Sequence, residues 1–199
     1  MTGGDATSGN ANVWVLNLAG QSWTAVSNIN TQSLTAGQGF LVYVFDDIDF
    51  DTDSDLPVDL YVSGSHNTGN VSITSIPQNS FYLGGNPYTK TIDWDDISKT
   101  NLSTTVSVWD DASSDWKTYN GSSGDLTNGL IAPFQGFWVQ ASGGVGSFTI
   151  QADDISTTAG TFLGRTTEEN TGSLAFTISS DDHTDNIYLT FGPNGSIYK

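Results

Sequence analysis

Apolar residues recur at every second position in many short segments of this chain. Val58, Leu60 and Val62, for example, alternate with more polar residues. Successive side chains of a β-strand point to opposite faces, so this spacing predicts half-buried strands rather than helices. The same spacing recurs at Val106 and Val108, at Phe137 and Val139, at Phe148 and Ile150, at Leu174, Phe176 and Ile178, and at Ile187, Leu189 and Phe191. Short strands at close intervals predict an antiparallel, all-β fold.

The charge of the chain restricts its partners. Five Lys and Arg stand against 22 Asp and Glu, which gives a formal net charge of −17. Nucleic acids and anionic membrane surfaces are bound by clustered basic residues, so we expect no nucleic acid and no such surface as a partner. No apolar run approaches the roughly 20 residues that span a bilayer, so no membrane span is expected. The absence of Cys excludes disulfides and thiolate chemistry.

Two segments of the chain resemble each other. Residues 13–23 align with residues 106–116, with two valines, an alanine and the final tryptophan matched. A Gln-Gly-Phe motif follows each copy and opens an apolar strand. These motifs are Gln38, Gly39 and Phe40 in the first copy and Gln135, Gly136 and Phe137 in the second. The repeat predicts two related antiparallel β-sandwich or jelly-roll-like units that arose by internal duplication.

The repeat also suggests a domain organisation. We expect a first β-unit over residues 1–64, a linker or connecting hairpin over 65–78, and a second β-unit with a C-terminal strand pair over 79–199. About 25 residues precede Val106 in the second copy, and only a dozen small, polar residues precede Val13 in the first. The first unit is therefore expected to lack its opening strand and to expose a sheet edge. We expect this edge to be covered by another segment, a neighbouring domain or another copy of the chain. Coverage by another copy would produce a fibre-like assembly.

The second half of the chain resembles a known group of proteins. The residues that carry the likeness are Gly85-Asn86-Pro87-Tyr88, Ile92-Asp93-Trp94, Val108-Trp109-Asp110, Trp116-Lys117-Thr118-Tyr119 and Ile131 to Val139. They resemble the β-rich region that precedes the C-terminal type IX secretion sorting domain of secreted Bacteroidetes-type surface proteins. The likeness covers residues 79–191 and, more weakly, 12–64. It implies a non-catalytic β-module that is extracellular or on the outer cell surface.

The motif residues have a structural interpretation. Pro87 fixes its own φ and favours an extended Asn86. Gly39 and Gly136 each precede a Phe and fit a bulge or a close backbone approach. The amides of Gln38 and Gln135 can satisfy loop backbone groups. We therefore expect Gly85, Asn86, Pro87, Tyr88, Gln135, Gly136, Phe137, Gln38, Gly39 and Phe40 to hold sheets and loops together.

An acidic segment is the candidate metal site. Asp47, Asp49, Asp51, Asp53 and Asp55 lie at alternate positions, and their carboxylates are the oxygen ligands that Ca²⁺ prefers. The spacing departs from an EF-hand loop, because Leu60 stands where the loop's final Glu is required. The alternative is a solvated acidic hairpin that keeps the surface soluble.

Aromatic residues suggest a second kind of site. Tryptophan rings can stack on the C–H faces of sugars, and Trp14, Trp109 and Trp138 are the candidates for carbohydrate binding because of their strand phase. Packing between sheets is the alternative role, and the matched positions of Trp23 and Trp116 favour it for these two.

Catalysis has little support in the sequence. The two histidines, His66 and His183, stand in no nucleophile or metalloprotease motif. We therefore predict a non-catalytic extracellular β-sandwich module with a structural, adhesive or self-assembling role. A carbohydrate-binding accessory module that uses exposed tryptophans is the alternative.

Overall fold

The structure is a computed structural model that describes residues 11–28, 33, 35–44, 47, 51–52, 65–164, 172–180 and 183–191. The chain divides into two compact units, Met1–Gly164 and Arg165–Lys199. The described residues form β-strands and one short 3₁₀ helix, Thr127–Gly129. The prediction of an antiparallel all-β fold is confirmed. No helix within these ranges is long and apolar enough to cross a membrane.

The strands are short and follow the period-two pattern. In chain order they are β1 (Val13–Asn17), β2 (Ser22–Ala25), β3 (Phe40–Val42), β4 (Val71–Ile76), β5 (Phe81–Gly85), β6 (Ile92–Asp93), β7 (Ser98–Thr100), β8 (Val106–Asp110), β9 (Asp115–Tyr119), β10 (Leu130–Ile131), β11 (Gly136–Gln140), β12 (Gly146–Ile150), β13 (Gly172–Ser180) and β14 (His183–Phe191). The last two pair with each other in the second unit.

Two sheets supply most of the core of the first unit. One has the order β5-β11-β8-β9 and the other β4-β12-β7. Their alternating apolar side chains meet in a single buried cluster. Phe137 of the first sheet lies 6.1 Å, ring centre to ring centre, from Phe148 of the second, and Tyr82 lies 5.8 Å from the same ring. The arrangement is that of a β-sandwich.

A third sheet, of order β2-β1-β3, contains the first copy of the repeat. The strand β1 lies between β2 and β3, so it is paired on both sides. The missing opening strand is supplied by β5, because Gly39 donates its N–H to Leu83 O at 3.0 Å and Gly85 donates to Gly37 O at 3.1 Å. The strand β5 therefore serves both copies, pairing with β11 on its other edge.

The two copies share their strand pairing. Leu16 pairs with Trp23 in the first hairpin, and Trp109 pairs with Trp116 at the matching positions of the second. The third strand also keeps its register, since Trp14 pairs with Leu41 and Ser107 with Trp138. Pairing of this kind is what a duplication would leave, and the duplication itself stays a prediction.

The division of the chain differs from the expected one. Residues 65–78, expected as a linker or connecting hairpin, contain β4, an edge strand of the second sheet. Val71 and Ile76 of this strand are buried in the core. The Ser- and Gly-rich composition around the strand obscured its alternating apolar residues in the sequence. The C-terminal strand pair belongs to a unit of its own rather than to the unit that begins at residue 79.

The two Gln-Gly-Phe motifs impose different steric limits, which yields a matched prediction. A Cβ on Gly39 would lie 2.6 Å from Gly84 O and 2.6 Å from Leu83 Cγ, whereas a Cβ on Gly136 would meet nothing nearer than 3.8 Å. We expect Gly39→Ala to lower the free energy of unfolding by about 1–3 kcal/mol. Gly136→Ala should change it by less than about 0.5 kcal/mol. Urea unfolding of both variants measures the difference, and equal losses would contradict the close approach at Gly39.

Candidate ligand-binding face

The sheet β5-β11-β8-β9 has one face in the core and one face turned away from it. Val106, Val108, Phe137 and Val139 fill the core side and are at most 1% exposed. Because side chains alternate along a strand, Ser107 and Trp109 of β8 and Trp138 of β11 lie on the other side. We call this side the outer face.

Three aromatic side chains meet on the outer face. The Trp138 ring centre lies 5.9 Å from that of Trp23 and 6.4 Å from that of Phe81, and both contacts are edge-to-face. Trp138 is half-buried by these neighbours, while Trp23 and Phe81 remain 41% and 47% exposed. We call these three residues the aromatic cluster. Trp23 comes from β2 of the first copy, so the cluster joins the two copies.

A side-chain clamp holds the β1–β2 hairpin against β5 of the sheet β5-β11-β8-β9. The Gln21 amide nitrogen donates to Phe81 O at 3.0 Å, and the Phe81 N–H donates to Gln21 Oε1 at 2.8 Å. Gln21 lies in the β1–β2 turn with a φ of 46°. The two hydrogen bonds imitate a strand pairing and fix the distance between the turn and β5. Trp23, two residues later, is thereby held beside Trp138.

A shallow pocket of about 100 Å³ opens beside the aromatic cluster. Its polar lining consists of hydroxyl and amide groups, with no charged side chain: Ser103, Thr105, Ser107 and Gln140, next to Phe81, Trp138 and Val139. Within the described part of the chain, no hydrogen bond uses the side chains of Thr105, Ser107 or Gln140. These groups are therefore available to a ligand that offers hydroxyls.

A second aromatic pair lies on the same face. Trp109 and Trp116 face each other across the β8–β9 hairpin, with ring centres 5.2 Å apart in an edge-to-face arrangement. Both are more than two fifths exposed. Exposed tryptophans in two groups on one face are unusual for residues whose only role is packing, since burial is what a tryptophan gains from packing.

The structure separates the three predicted sugar-binding tryptophans. Trp138 and Trp109 lie on the outer face, whereas Trp14 lies in the third sheet, β2-β1-β3, on the same side of that sheet as Trp23. Trp23 and Trp116, for which packing was favoured, are among the most exposed aromatic residues. The clue in the sequence was their matched position after each hairpin turn. Phe81 carried no such signal, because its neighbourhood depends on the Gln21 clamp.

The Gly-Asn-Pro-Tyr motif lies in the interior. Asn86 is 2% exposed; its amide donates to the carbonyls of Lys90, Ile131 and Ala132, and its Oδ1 accepts the Tyr88 N–H. The Tyr88 hydroxyl donates to Ile150 O at 3.2 Å. Such contacts are those of residues that hold loops to sheets.

Gln135 and Gln38 also join separate segments of the chain. Gln135 Oε1 accepts the Leu163 N–H at 2.7 Å, which ties the segment after the core to the loop before β11. Gln38 forms a bridge with Gly84 through its backbone.

An acidic group surrounds Lys99 at the end of the sandwich. The ammonium of Lys99 lies 4.5 Å from the centre of the Trp94 ring and donates to Trp94 O. Burial lowers the pKa of Lys99, and the carboxylates of Asp95 and Asp154 oppose this shift. Burial also raises the pKa of Asp154, whose Oδ2 accepts the Gln151 N–H at 2.7 Å. The carboxylates thus offset part of the cost of burying the Lys99 ammonium.

The predicted calcium segment falls mostly outside the described residues. Of its five aspartates, Asp47 and Asp51 are described and Asp49, Asp53 and Asp55 are not. The Asp47 carboxylate accepts the Thr52 N–H at 3.0 Å, as in a turn. No group of three or more metal-ligating side chains occurs among the described residues. Calcium binding by this segment stays a prediction.

Comparison with known proteins gives no relative from which a function could be transferred. No family model, no curated protein and no solved structure matches the chain.

Proposed function

We propose that this chain is a non-catalytic β-module with an adhesive role, and that it binds neutral polysaccharides through the aromatic cluster of the outer face. The observation that carries the proposal is the shallow pocket in which Trp138 and Phe81 adjoin uncharged hydroxyl and amide groups, with Trp23 packed edge-to-face on Trp138. The C–H faces of a pyranose pack on aromatic rings, and its hydroxyls pair with Ser, Thr and Gln side chains.

The charge distribution favours a neutral ligand. The chain carries a net charge of −17, which repels anionic polymers at low salt. Nothing in the pocket lining offers a cation for a uronate or sulfate, or a carboxylate for an amino sugar. Affinity must then come from stacking and neutral hydrogen bonds, as it does for uncharged glycans.

The edges of the sheets favour this role over assembly by strand exchange. On the outer edge of β9, Thr118 donates its N–H to Asp125 Oδ1 at 2.8 Å and accepts the Leu126 N–H at 3.0 Å. The Trp116 N–H is bonded to the Asp115 carboxylate at 2.8 Å. Such caps prevent the addition of a further strand. The outer edge of the short strand β2 has no partner strand within the described chain, and it is one of the edges open to self-assembly.

Export to the cell surface or the medium is part of the proposal. It is supported only by the resemblance of residues 79–191 to modules of secreted surface proteins. An external polysaccharide would be the accessible ligand in that setting.

Affinity gel electrophoresis tests the proposal. We expect the protein to be retarded in native gels that contain soluble mixed-linkage β-glucan, xyloglucan or galactomannan, and to run unchanged in gels with alginate. Trp138→Ala should abolish the retardation, since it removes the ring that forms the floor of the pocket. Trp23→Ala, a surface change, should weaken it by about tenfold, the equivalent of one aromatic contact.

Phe162→Ala is the matched control, because Phe162 is 55% exposed but lies on none of the strands of the outer face. It should leave retardation unchanged, and thermal melting should show that all variants fold. Wild-type protein that passes unretarded through all three neutral polymers, or a folded Trp138→Ala variant that binds as well as wild type, would refute the proposal.

A further inference from the structure

The outer face extends beyond the aromatic cluster. Ser107 of β8 pairs with Trp138, and Trp109 lies two residues farther along β8 on the same side of the sheet. Two residues of strand correspond to about 7 Å. The Trp109–Trp116 pair is thus a second aromatic group on the same face, displaced along the strand direction from the first.

Between the two aromatic groups, strand β11 contributes a glycine, which has no side chain. Continuing the antiparallel register from the Trp138–Ser107 pair places Gly136 of β11 level with Trp109. Gly136 pairs in turn with Gly85 of β5. A Cβ at Gly136 would make only ordinary van der Waals contacts, at 3.8 Å, with Gly84 O and Leu83 Cδ1. Ser107 lies level with Trp138 on the neighbouring strand, and its hydroxyl has no hydrogen-bond partner in the described chain.

We infer that the outer face is an extended platform that binds the interior of a linear, neutral glycan chain rather than a terminal sugar. The inference rests on the proposed function and adds the form of the ligand. A site for a chain end needs a wall that stops the next sugar. The shallow pocket lies on the Gln140 side of Trp138, and the face continues on the other side of Trp138 to Gly136 and the Trp109–Trp116 pair. A chain that stacks on Trp138 would pass over Gly136 and reach the second pair.

Chain-length dependence of binding tests this inference. Linear β-linked gluco-oligosaccharides from disaccharide to hexasaccharide are titrated by isothermal calorimetry, using whichever linkage retards the wild-type protein. We expect affinity to rise with each added unit until both aromatic groups are covered. The double variant Trp109→Ala/Trp116→Ala should lose about tenfold or more in affinity for the hexasaccharide. Its affinity for the disaccharide should be unchanged.

The Gly136→Val variant is a second test, and it leaves every aromatic ring in place. Valine suits a strand, and a Cβ at this position makes only ordinary van der Waals contacts, at 3.8 Å, with Gly84 O and Leu83 Cδ1. It should block the passage between the groups, lowering hexasaccharide affinity while preserving disaccharide binding. Phe162→Ala again serves as the control.

The outcomes separate the two proposals. Absence of any neutral-glycan binding refutes the proposed function. If wild-type protein binds and Trp138→Ala does not, but affinity is independent of chain length and both Gly136→Val and the double variant bind the hexasaccharide normally, the extended platform is wrong and the binding function stands.

Discussion

Replacing Trp94 by alanine should lower the free energy of unfolding by about 3–5 kcal/mol, the usual loss for a buried tryptophan. The side chain is fully buried, and its indole N–H donates to Thr104 O at 2.9 Å. Its ring packs edge-to-face on Phe137 at 6.1 Å and underlies the Lys99 ammonium. The variant would lose ring contacts on both sides and leave a cavity between the sheets. For a unit of this size we expect the melting temperature to fall by roughly 6–20 °C.

The matched control is Trp116→Ala, since Trp116 is 43% exposed. It should lower stability by no more than about 1 kcal/mol. Trp94→Phe should give an intermediate loss of about 1–2 kcal/mol, because the ring remains but Thr104 O loses its donor. Urea unfolding followed by circular dichroism measures all three. A Trp94→Ala variant as stable as Trp116→Ala would show that the sandwich core is not centred on this ring.

The second large effect is expected at Asn86. Asn86→Ala removes the donor for the buried carbonyls of Ile131 and Ala132, at 3.1 and 3.0 Å, and the acceptor for the Tyr88 N–H. Each buried group without a partner costs about 1–3 kcal/mol, so we expect a total loss of about 2–4 kcal/mol. The loop before β11 should lose its hydrogen-exchange protection as well, because Asn86 holds it to the start of β6.

Asn70→Ala is the control for this substitution. The Asn70 Oδ1 also accepts a backbone N–H, from Ala152 at 3.0 Å, but the residue is exposed, so water can replace it. We expect less than about 1 kcal/mol of loss. Similar losses in the two variants would argue that the Asn86 contacts do not hold the loop.

Local patterns in the sequence predicted the strands that pair with their neighbours in the chain. The alternation at Val106 and Val108, followed by a polar turn, led directly to the β8–β9 hairpin. The apolar positions from Leu174 to Phe191 likewise fall in the β13–β14 pair. Alternation and turn chemistry are properties of a few adjacent residues, and they can be recognised without the rest of the fold.

Pairings between distant strands could not be predicted in this way. The sequence indicated that the first copy lacks an opening strand, but nothing local identifies β5 as the strand that replaces it. Strand β4 was missed for the same reason: its six residues become a strand through pairing with β12, far along the chain. Which strand pairs with a given edge depends on which other segments pack nearby, and that is a property of the whole fold.

The candidate binding face shows the same difference between what local sequence predicts and what tertiary structure determines. The sequence by itself determined that this is an acidic all-β chain with six tryptophans. Only the tertiary structure decided which of them meet. The Gln21 clamp on β5 brings Trp23 next to Trp138. These two residues are distant in the sequence, and no periodicity connects their positions. Their meeting follows from how one sheet docks on another, because side chains are grouped by strand pairing and packing, not by spacing along the chain.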